Sequence, residues 1–234
     1  MTVRGNTPLT VFCYNEGQQA ERSGAMKKAF FYGDSNTYGY DPAGYWGGRY
    51  PRAQRWTTIL AEGLAGEWEI EADGMPGRVI PAQGRPLFYL QDRIRAEMPV
   101  DLFAVMLGTN DILGTLRPDA EKTTKDMDTL ITGVKELGVP QILLIAPPEI
   151  KLTDLSFEAS YVRGDRSYAQ RYQEEGRELT RRYRELASRR GVLFADASSW
   201  DLDFAFDAVH LSETGHAVFG REMIRVMKAA TGNV

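Results

Sequence analysis

The chain alternates short apolar runs with longer segments whose apolar residues recur at helical spacing, and this alternation limits the fold more than any other feature. Short apolar runs are typical of strands, and a repeat of about 3.6 residues is typical of helices that bury one side. Strands alternating with helices favour a parallel sheet with helices on both faces. Five runs are predicted strands: Ala29–Tyr32, Trp68–Ala72, Leu102–Leu107, Ile142–Ala146 and Val192–Ala195.

The apolar patterns of these strands differ in a way that suggests their order. Leu102–Leu107 and Ile142–Ala146 are continuously apolar, as expected of strands covered on both faces. Trp68–Ala72 alternates polar and apolar residues, as expected of an edge strand. We therefore predict one three-layer α/β/α domain with a five-stranded parallel sheet in the flavodoxin-like order 2-1-3-4-5. Asp119 is a predicted helix N-cap, and Gly138 and Gly191 are predicted to end helices.

Composition excludes several classes of protein. A length of 234 residues suits one α/β domain, and a net charge of −4 argues against a nucleic-acid surface. No apolar stretch approaches the roughly 18 residues that a membrane-spanning helix needs. The single Cys13 excludes an intramolecular disulfide, which fits a reducing cytoplasm. We therefore expect a cytoplasmic protein without nucleic-acid or membrane partners.

Two segments depart from the alternating pattern. Residues 1–25 are polar and aperiodic and lack the apolar core of a signal peptide. We expect them to form a disordered or loosely docked extension that can be deleted without loss of activity, with the domain spanning 26–234. Residues 147–165 form a long irregular stretch after the fourth strand, and such loops usually serve function or an interface.

Polar residues follow four of the predicted strands, where ligands collect in a doubly wound sheet. The four segments are Gly33–Asn36, Gly74–Arg78, Gly108–Asp111 and, past a loop after the fifth strand, Asp207–His210. Because the carboxyl ends of parallel strands share one edge of the sheet, all four segments are expected to meet there. The sequence therefore predicts one site built from distant parts of the chain.

The residue types in these segments fit acyl transfer. A serine hydroxyl such as that of Ser35 needs a neighbouring imidazole, here His210, to remove its proton. Asp207 stands three residues before His210, so its carboxylate can reach the inner ring nitrogen and fix the tautomer. The backbone N–H groups of Ser35 and Gly77 and the side-chain amide of Asn110 are candidate donors to an oxyanion.

Each of these assignments has an alternative. Ser35 could cap a helix, and Asn110 could be a turn residue. His216 is the other histidine of the chain, but it lies inside the last predicted helix and has no acid three residues upstream. Asp201 and Asp203 are alternatives to Asp207.

The sequence predicts neither a metal nor a dinucleotide cofactor. Two histidines without clustered acidic residues leave little from which to build a metal site. The first strand is also not followed by the GxGxxG turn of dinucleotide-binding proteins. We therefore expect a hydrolase that needs no cofactor.

Together, the four segments resemble blocks I, II, III and V of the SGNH (GDSL-type) hydrolases. GDSN at 33–36, Gly77, GTND at 108–111 and DAVH at 207–210 occur in the family's order, and the resemblance extends from about Met26 to Lys228. It implies that Ser35 is the nucleophile, that Gly77 and Asn110 are oxyanion donors, and that Asp207 and His210 are the catalytic pair.

A closer resemblance is to the bacterial arylesterase and acyltransferase branch. GDSNTYGY, Arg55-Trp56 and Gly74–Arg78 carry it, and it implies short-chain acyl or aryl esters, possible acyl transfer and a homo-oligomer. The chain departs from the resemblance at two places. Asn36 stands where the GDSL motif that names the family has Leu, and Pro76-Gly77 stands where branch members often carry Ser-Ala. The second departure suggests a different acyl pocket.

Candidate substrate-binding residues are Tyr38, Trp46 and Arg78. Aromatic residues crowd the segment after Ser35, and they suit either an aromatic wall around the substrate or packing at a subunit interface. Arg78 suits either the orientation of loops or a contact with a substrate oxygen.

The predicted function is a serine carboxylic-ester hydrolase that forms an acyl-enzyme on a small-molecule ester. A carbohydrate acetyl-esterase would use the same residues. A binding module on the same fold with a dead site is the alternative from another class, because fold alone does not establish activity.

Overall fold

The computed structural model describes residues 26–152 and 167–230, and its centre is a five-stranded parallel sheet. The strand order is β2-β1-β3-β4-β5, so the predicted fold and strand order are confirmed. The strands are β1 (Lys27–Gly33), β2 (Trp68–Gly74), β3 (Leu102–Met106), β4 (Gln141–Ala146) and β5 (Leu193–Asp196).

Seven helices and two 3₁₀ turns connect the strands of the described residues. The helices are α1 (Ser35–Tyr38), α2 (Trp56–Gly63), α3 (Gly84–Glu97), α4 (Thr109–Leu113), α5 (Ala120–Lys135), α6 (Ser167–Arg190) and α7 (Glu213–Ala230). The 3₁₀ turns are Arg52–Gln54 and Ala197–Ser199. The predicted helix signals are confirmed, because the Asp119 side chain caps α5 and both Gly138 and Gly191 adopt a positive φ just past helix ends.

The sheet separates two apolar cores, and successive side chains of β1 point alternately into one and the other. Phe30 and Tyr32 point to the core formed with α3, α4, α5 and α6, and Ala29 and Phe31 point to the core formed with α2 and α7. Strand side chains alternate between faces, so a central strand covered on both sides must be apolar at every position. This explains the continuous apolar runs, and β2, which lies at the edge, is the partly exposed strand that its alternating sequence predicts.

The register of the sheet brings three strand ends to one level. Gly33 at the end of β1 pairs with Gly74 of β2 on one side and with Met106 of β3 on the other. The polar segments that follow β1, β2 and β3 therefore start side by side.

Two segments singled out in the sequence lie wholly or mostly outside the described residues. Residues 1–25 lie outside the described residues, as does most of the irregular stretch 147–165. The described start of that stretch enters the core through Ile150 and Leu152, which are both buried. In the ranges 26–152 and 167–230, no helix combines the length and the apolar character needed to cross a membrane.

Candidate active site

Ser35 lies at the first position of α1, directly after β1. Asp34 is the N-cap of this helix, and its Oδ1 accepts a hydrogen bond from the Asn36 backbone N–H at 3.0 Å. Ser35 is therefore not the cap, and its hydroxyl is left for other contacts. The turn sits tightly on the end of β2, where a Cβ added to Gly74 would lie 2.2 Å from the Tyr38 nitrogen.

The loop that carries His210 is stabilised largely by hydrogen bonds of its own. Oδ1 of Asp207 accepts hydrogen bonds from the backbone N–H groups of Val209 and His210 at 3.1 and 3.0 Å. The Ala205 N–H donates to the His210 carbonyl oxygen at 2.8 Å. Ala208 adopts a φ of 58°, which is uncommon for a residue with a side chain.

Ser35, His210 and Asp207 form a continuous hydrogen-bonded chain. The Ser35 Oγ lies 2.9 Å from His210 Nε2, and His210 Nδ1 lies 2.6 Å from Asp207 Oδ2. The first distance is that of an ordinary hydrogen bond, and the second is short, as expected of a bond to a carboxylate. The structure thus brings Ser35, from near one end of the chain, together with Asp207 and His210, from near the other, which is the arrangement that the sequence predicts.

The direction of these hydrogen bonds follows from the charge of Asp207. Burial raises the pKa of this carboxyl, but hydrogen bonds from the His210 ring and from the His210 and Val209 N–H groups outweigh it, so the pKa is lowered. An ionised carboxylate only accepts hydrogen bonds, so Nδ1 of His210 must carry the donated proton. The other nitrogen of a neutral ring, Nε2, is then free to accept the Ser35 hydroxyl proton.

The predicted oxyanion donors lie on the segments that follow β1, β2 and β3, whose starts are side by side in the sheet. Ser35 and Gly77 have backbone N–H groups that donate to no other group within the described part of the chain. The Asn110 Nδ2 donates one proton to the Arg78 carbonyl oxygen at 3.0 Å, which leaves the second amide proton available. Gly77 has a φ of 74°, and a Cβ added there would meet nothing within 4 Å. The glycine therefore serves the backbone conformation of the loop rather than a close contact.

Arg78 makes contacts within the protein that are typical of a structural residue. Of its two predicted roles, these contacts favour the orientation of a loop over contact with a substrate oxygen. Its guanidinium donates to the carbonyl oxygen of Gly33 at 2.8 Å and to the Asp73 carboxylate at 2.6 Å. It also lies over the Tyr32 ring, 3.9 Å from the centroid, and the residue is only 6% exposed. These contacts anchor the loop that contains Gly77 to the ends of β1 and β2, which matches the loop-orienting alternative.

Two carboxyl groups lie beside the site, of which Asp34 is buried and Asp111 is half-buried. Burial raises the pKa of Asp34 to about 6, although the hydrogen bond from Asn36 and the nearby His210 lower it. Burial also raises the pKa of Asp111, whose carboxylate accepts a hydrogen bond from the Ile80 N–H at 3.2 Å. Asp111 and Asn110 therefore both hold the segment that follows β2 against α4.

The alternatives to His210 and Asp207 lie elsewhere. His216 is fully buried in α7, where Nδ1 accepts a weak hydrogen bond from the Trp56 N–H at 3.4 Å, and burial lowers its pKa to about 4. Asp203 accepts a hydrogen bond from the Ser212 hydroxyl at 2.6 Å, and Asp201 is exposed. The contact with the His210 ring belongs to Asp207.

Aromatic side chains follow the serine, and they differ in exposure. Tyr38 is half-buried beneath the Arg49 guanidinium, which lies 4.0 Å from the ring centroid. Trp46 is 54% exposed on the loop after α1. Tyr40 packs its ring against that of His210 with the centroids 4.7 Å apart.

The sequence alone predicts no specific contact for two residues beside the site. Tyr40 is one of several aromatic residues after Ser35, and Asn36 differs from the Leu of the GDSL motif. In the structure, Asn36 is buried and its side chain bonds to the chain on both sides of His210. An amide at a position where the GDSL motif has Leu is the signal that could have identified Asn36.

Among the described residues, no group of three or more His, Cys, Asp or Glu side chains is arranged to hold a metal ion.

Residues 31–218 match the GDSL-like lipase/acylhydrolase family, and the matched range contains all five predicted catalytic and oxyanion residues. The chain belongs to this family. Within the SGNH hydrolase superfamily, this GDSL-family chain is a carboxylic-ester hydrolase. No curated protein sequence matches it.

Solved structures of similar proteins agree with this assignment of the GDSL-family chain. A candidate arylesterase from Agrobacterium tumefaciens is 30% identical, with 88% of this chain and 100% of that chain covered and a TM-score of 0.73. A carbohydrate acetylesterase family member from Sinorhizobium meliloti is 27% identical, with 88% and 100% covered and a TM-score of 0.75. The aryl esterase of M. smegmatis is 26% identical, with 87% and 99% covered and a TM-score of 0.72.

Proposed function

We propose that the protein is a serine esterase that cleaves short-chain acyl or aryl esters through an acyl-enzyme on Ser35. The single observation that carries this proposal is the hydrogen-bonded chain from Ser35 Oγ through the His210 ring to Asp207, with distances of 2.9 and 2.6 Å. This arrangement supplies a nucleophile, a base in reach of its proton and a carboxylate that orients the base.

In the first step, Ser35 Oγ attacks the ester carbonyl carbon while its proton moves to His210 Nε2. The carbonyl oxygen becomes an oxyanion, and the N–H groups of Ser35 and Gly77 and the free amide proton of Asn110 stabilise it. His210 becomes an imidazolium, which the ionised Asp207 stabilises.

In the second step, the bond to the leaving oxygen breaks and His210 gives its proton to that oxygen. The acyl group stays on Ser35 as an ester. Water then attacks this ester, passes its proton to His210 Nε2, and the carboxylic acid leaves as Ser35 recovers its proton. If an alcohol attacks in place of water, the same steps produce a new ester, which is acyl transfer.

The aromatic side chains on the loops that carry Tyr40 and Asp207 support small or flat acyl and leaving groups. Tyr40 packs against the reacting histidine, and the loop after it carries the exposed side chains of Tyr45 and Trp46. Phe206, directly before Asp207, is also exposed. Flat apolar faces of this kind favour contact with an aryl ring. Two of the similar structures described above are an arylesterase and a candidate arylesterase, which agrees with such substrates.

A carbohydrate acetyl-esterase is the second candidate. The similarity to a carbohydrate acetylesterase family member from Sinorhizobium meliloti favours it. The two candidates share every catalytic step and differ in the leaving group. Rates on p-nitrophenyl esters of increasing acyl length, compared with rates on acetylated xylan and acetylated monosaccharides, distinguish them.

The test of the mechanism is Ser35→Ala. We expect this variant to lose hydrolysis of p-nitrophenyl acetate and labelling by a fluorophosphonate, with an unchanged circular dichroism spectrum. Ser188→Ala, which removes an exposed serine hydroxyl of α6, is the matched control and should behave as the wild type. Near-normal turnover by the Ser35 variant, or absence of a Ser35 adduct in the wild type, contradicts the proposed function.

A further inference from the structure

We propose that Asn36 is the positioning residue that holds His210 in line with Ser35. The inference rests on the proposed function and adds a residue to it. Asn36 Nδ2 donates to the Val209 carbonyl oxygen at 3.2 Å, and Asn36 Oδ1 accepts from the Leu211 N–H at 2.9 Å. One side chain thus bonds to the main chain on each side of His210.

The chemistry of both contacts requires a primary amide. The Val209 carbonyl needs a donor and the Leu211 N–H needs an acceptor, and an asparagine side chain presents one of each in a single plane. Asn36 is 3% exposed, so water does not readily replace either partner. A leucine of similar size, the residue of the name motif, would satisfy neither group.

Asn36 is itself fixed in place. Its N–H donates to the Asp34 carboxylate at 3.0 Å, and its carbonyl oxygen accepts a hydrogen bond from Trp56 Nε1 at 2.9 Å. Asn36 also follows Ser35 directly in α1. The nucleophile and the side chain that holds the His210 loop are therefore neighbours on one short helix. We call the two side-chain hydrogen bonds of Asn36, to Val209 and Leu211, the clamp.

The His210 loop needs such an external support. The segment from Phe204 to Leu211 is neither a helix nor a strand, and it has a single isolated bridge between those two residues. The hydrogen bonds of Asp207 Oδ1 and of the His210 carbonyl stay within the loop. They fix the loop's shape but not its distance from Ser35. The two bonds of Asn36 are what join its main chain to the helix of the nucleophile in the described structure.

A positioning role predicts a particular kinetic effect. The position of His210 Nε2 enters each proton transfer, whereas both side-chain bonds of Asn36 go to main-chain groups and Asn36 itself is buried. Loss of the clamp should therefore reduce kcat and leave KM nearly unchanged, because misplacement of a reacting group by about 1 Å can cost on the order of 10²-fold in rate.

The experiment compares the wild type with Asn36→Leu, Asn36→Asp and Thr37→Val. The readouts are kcat and KM for p-nitrophenyl acetate and the low-field proton NMR signal of the Asp207–His210 hydrogen bond. Thr37 is the matched control, because its hydroxyl is buried in the same helix and has no hydrogen-bond partner among the described residues. Its variant should behave as the wild type.

For Asn36→Leu we expect kcat to fall about 10- to 100-fold with KM within about twofold, and the low-field signal to broaden or vanish. Asn36→Asp keeps the acceptor for Leu211 and regains a donor for Val209 only when protonated. Its kcat relative to the wild type should therefore rise as the pH is lowered. This variant keeps the inference testable even where the leucine variant does not fold.

Wild-type kcat in Asn36→Leu overturns the inference, as does an equal loss in Thr37→Val or a flat pH ratio for Asn36→Asp. Ser35→Ala separates the two levels of the proposal. If that variant is inactive while the Asn36 variants are fully active, only the positioning role fails. If it remains active, the proposed function fails.

Discussion

The side-chain amide of Asn110 donates a hydrogen bond to the main-chain carbonyl oxygen of Arg78 at 3.0 Å. This bond fixes the amide plane and directs the remaining amide proton, so the donor is oriented before any substrate arrives. Preorganised donors contribute most to stabilising an oxyanion because no reorganisation is needed during the reaction.

Replacing Asn110 with Ala should therefore lower kcat for a p-nitrophenyl ester by about 10²- to 10³-fold, with a smaller change in KM. Asn110→Asp has nearly the same shape but no donor when ionised, and it should be similarly slow. Steady-state kinetics on both variants checks this. Activity within about threefold of the wild type in Asn110→Ala would remove this residue from the oxyanion site.

Asp207→Asn should preserve the shape of the site and reverse the hydrogen-bonding preference toward the ring. The amide can donate to Nδ1, which places the ring proton on Nε2 and blocks it as a base. We expect kcat near pH 7 to fall by a factor on the order of 10⁴. Asp201→Asn, which neutralises an exposed carboxylate earlier in the same segment, is the control and should retain normal kcat.

Gly74 and Gly77 should respond differently to alanine. A Cβ at Gly74 would lie 2.2 Å from the Tyr38 nitrogen and 2.5 Å from the Thr37 carbonyl carbon, so backbone must move. A Cβ at Gly77 meets open space, and only its positive φ costs energy. Urea unfolding should show a loss of about 1 kcal/mol for Gly77→Ala and about 3 kcal/mol for Gly74→Ala. Gly77→Ala keeps its N–H and should stay active; equal losses of stability would contradict this difference.

His216 should make the protein less stable in acid. Burial lowers its pKa to about 4, whereas in the unfolded chain the pKa is near 6.5. As the pH falls from 6.5 to 4, the unfolded chain binds the proton and the folded chain does not. The free energy of unfolding should therefore drop by up to about 3 kcal/mol over this range. His216→Gln should flatten this part of the profile of denaturant midpoint against pH.

Asp34 should have the opposite effect on the pH dependence of stability. Its pKa is raised from 3.8 to about 6, so between these values the folded protein keeps a proton that the unfolded chain releases. Its contribution to stability is present below pH 4 and lost as the pH rises through 6. Asp34→Asn should therefore be more stabilising, or less destabilising, at pH 8 than at pH 4 by about 1–3 kcal/mol. If Asp34→Asn changes the urea midpoint by the same amount at pH 4 and at pH 8, the buried carboxyl does not titrate in this way.

Local patterns were sufficient to predict the architecture. The apolar runs that gave β1 and β3 lie between helices on both faces, and Asp119 and Gly138 mark a helix by chemistry that depends only on near neighbours. The same local information predicted that Ser35 and His210 would meet, because each follows a strand of one parallel sheet.

Local sequence patterns could not predict the contacts of Asn36 and Tyr40. Asn36 lies 173 positions from Val209, and the path of the loop between them decides which groups face each other. The positive φ of Ala208 was equally unpredictable, because alanine rarely adopts it and no local signal marks it. Arg78 had two possible roles in the sequence, and only the position of the Asp73 carboxylate favours the one that holds the loop.

The pairing of Gly33 with both Gly74 and Met106 has a consequence for how the protein can vary. Deleting one residue within β1 would displace the serine turn by about 3.3 Å and exchange the side chains that face the two helical layers. Insertions beyond these strand ends leave that alignment intact. Libraries that seek new ester preferences should therefore vary loop length past the sheet and hold every strand length constant.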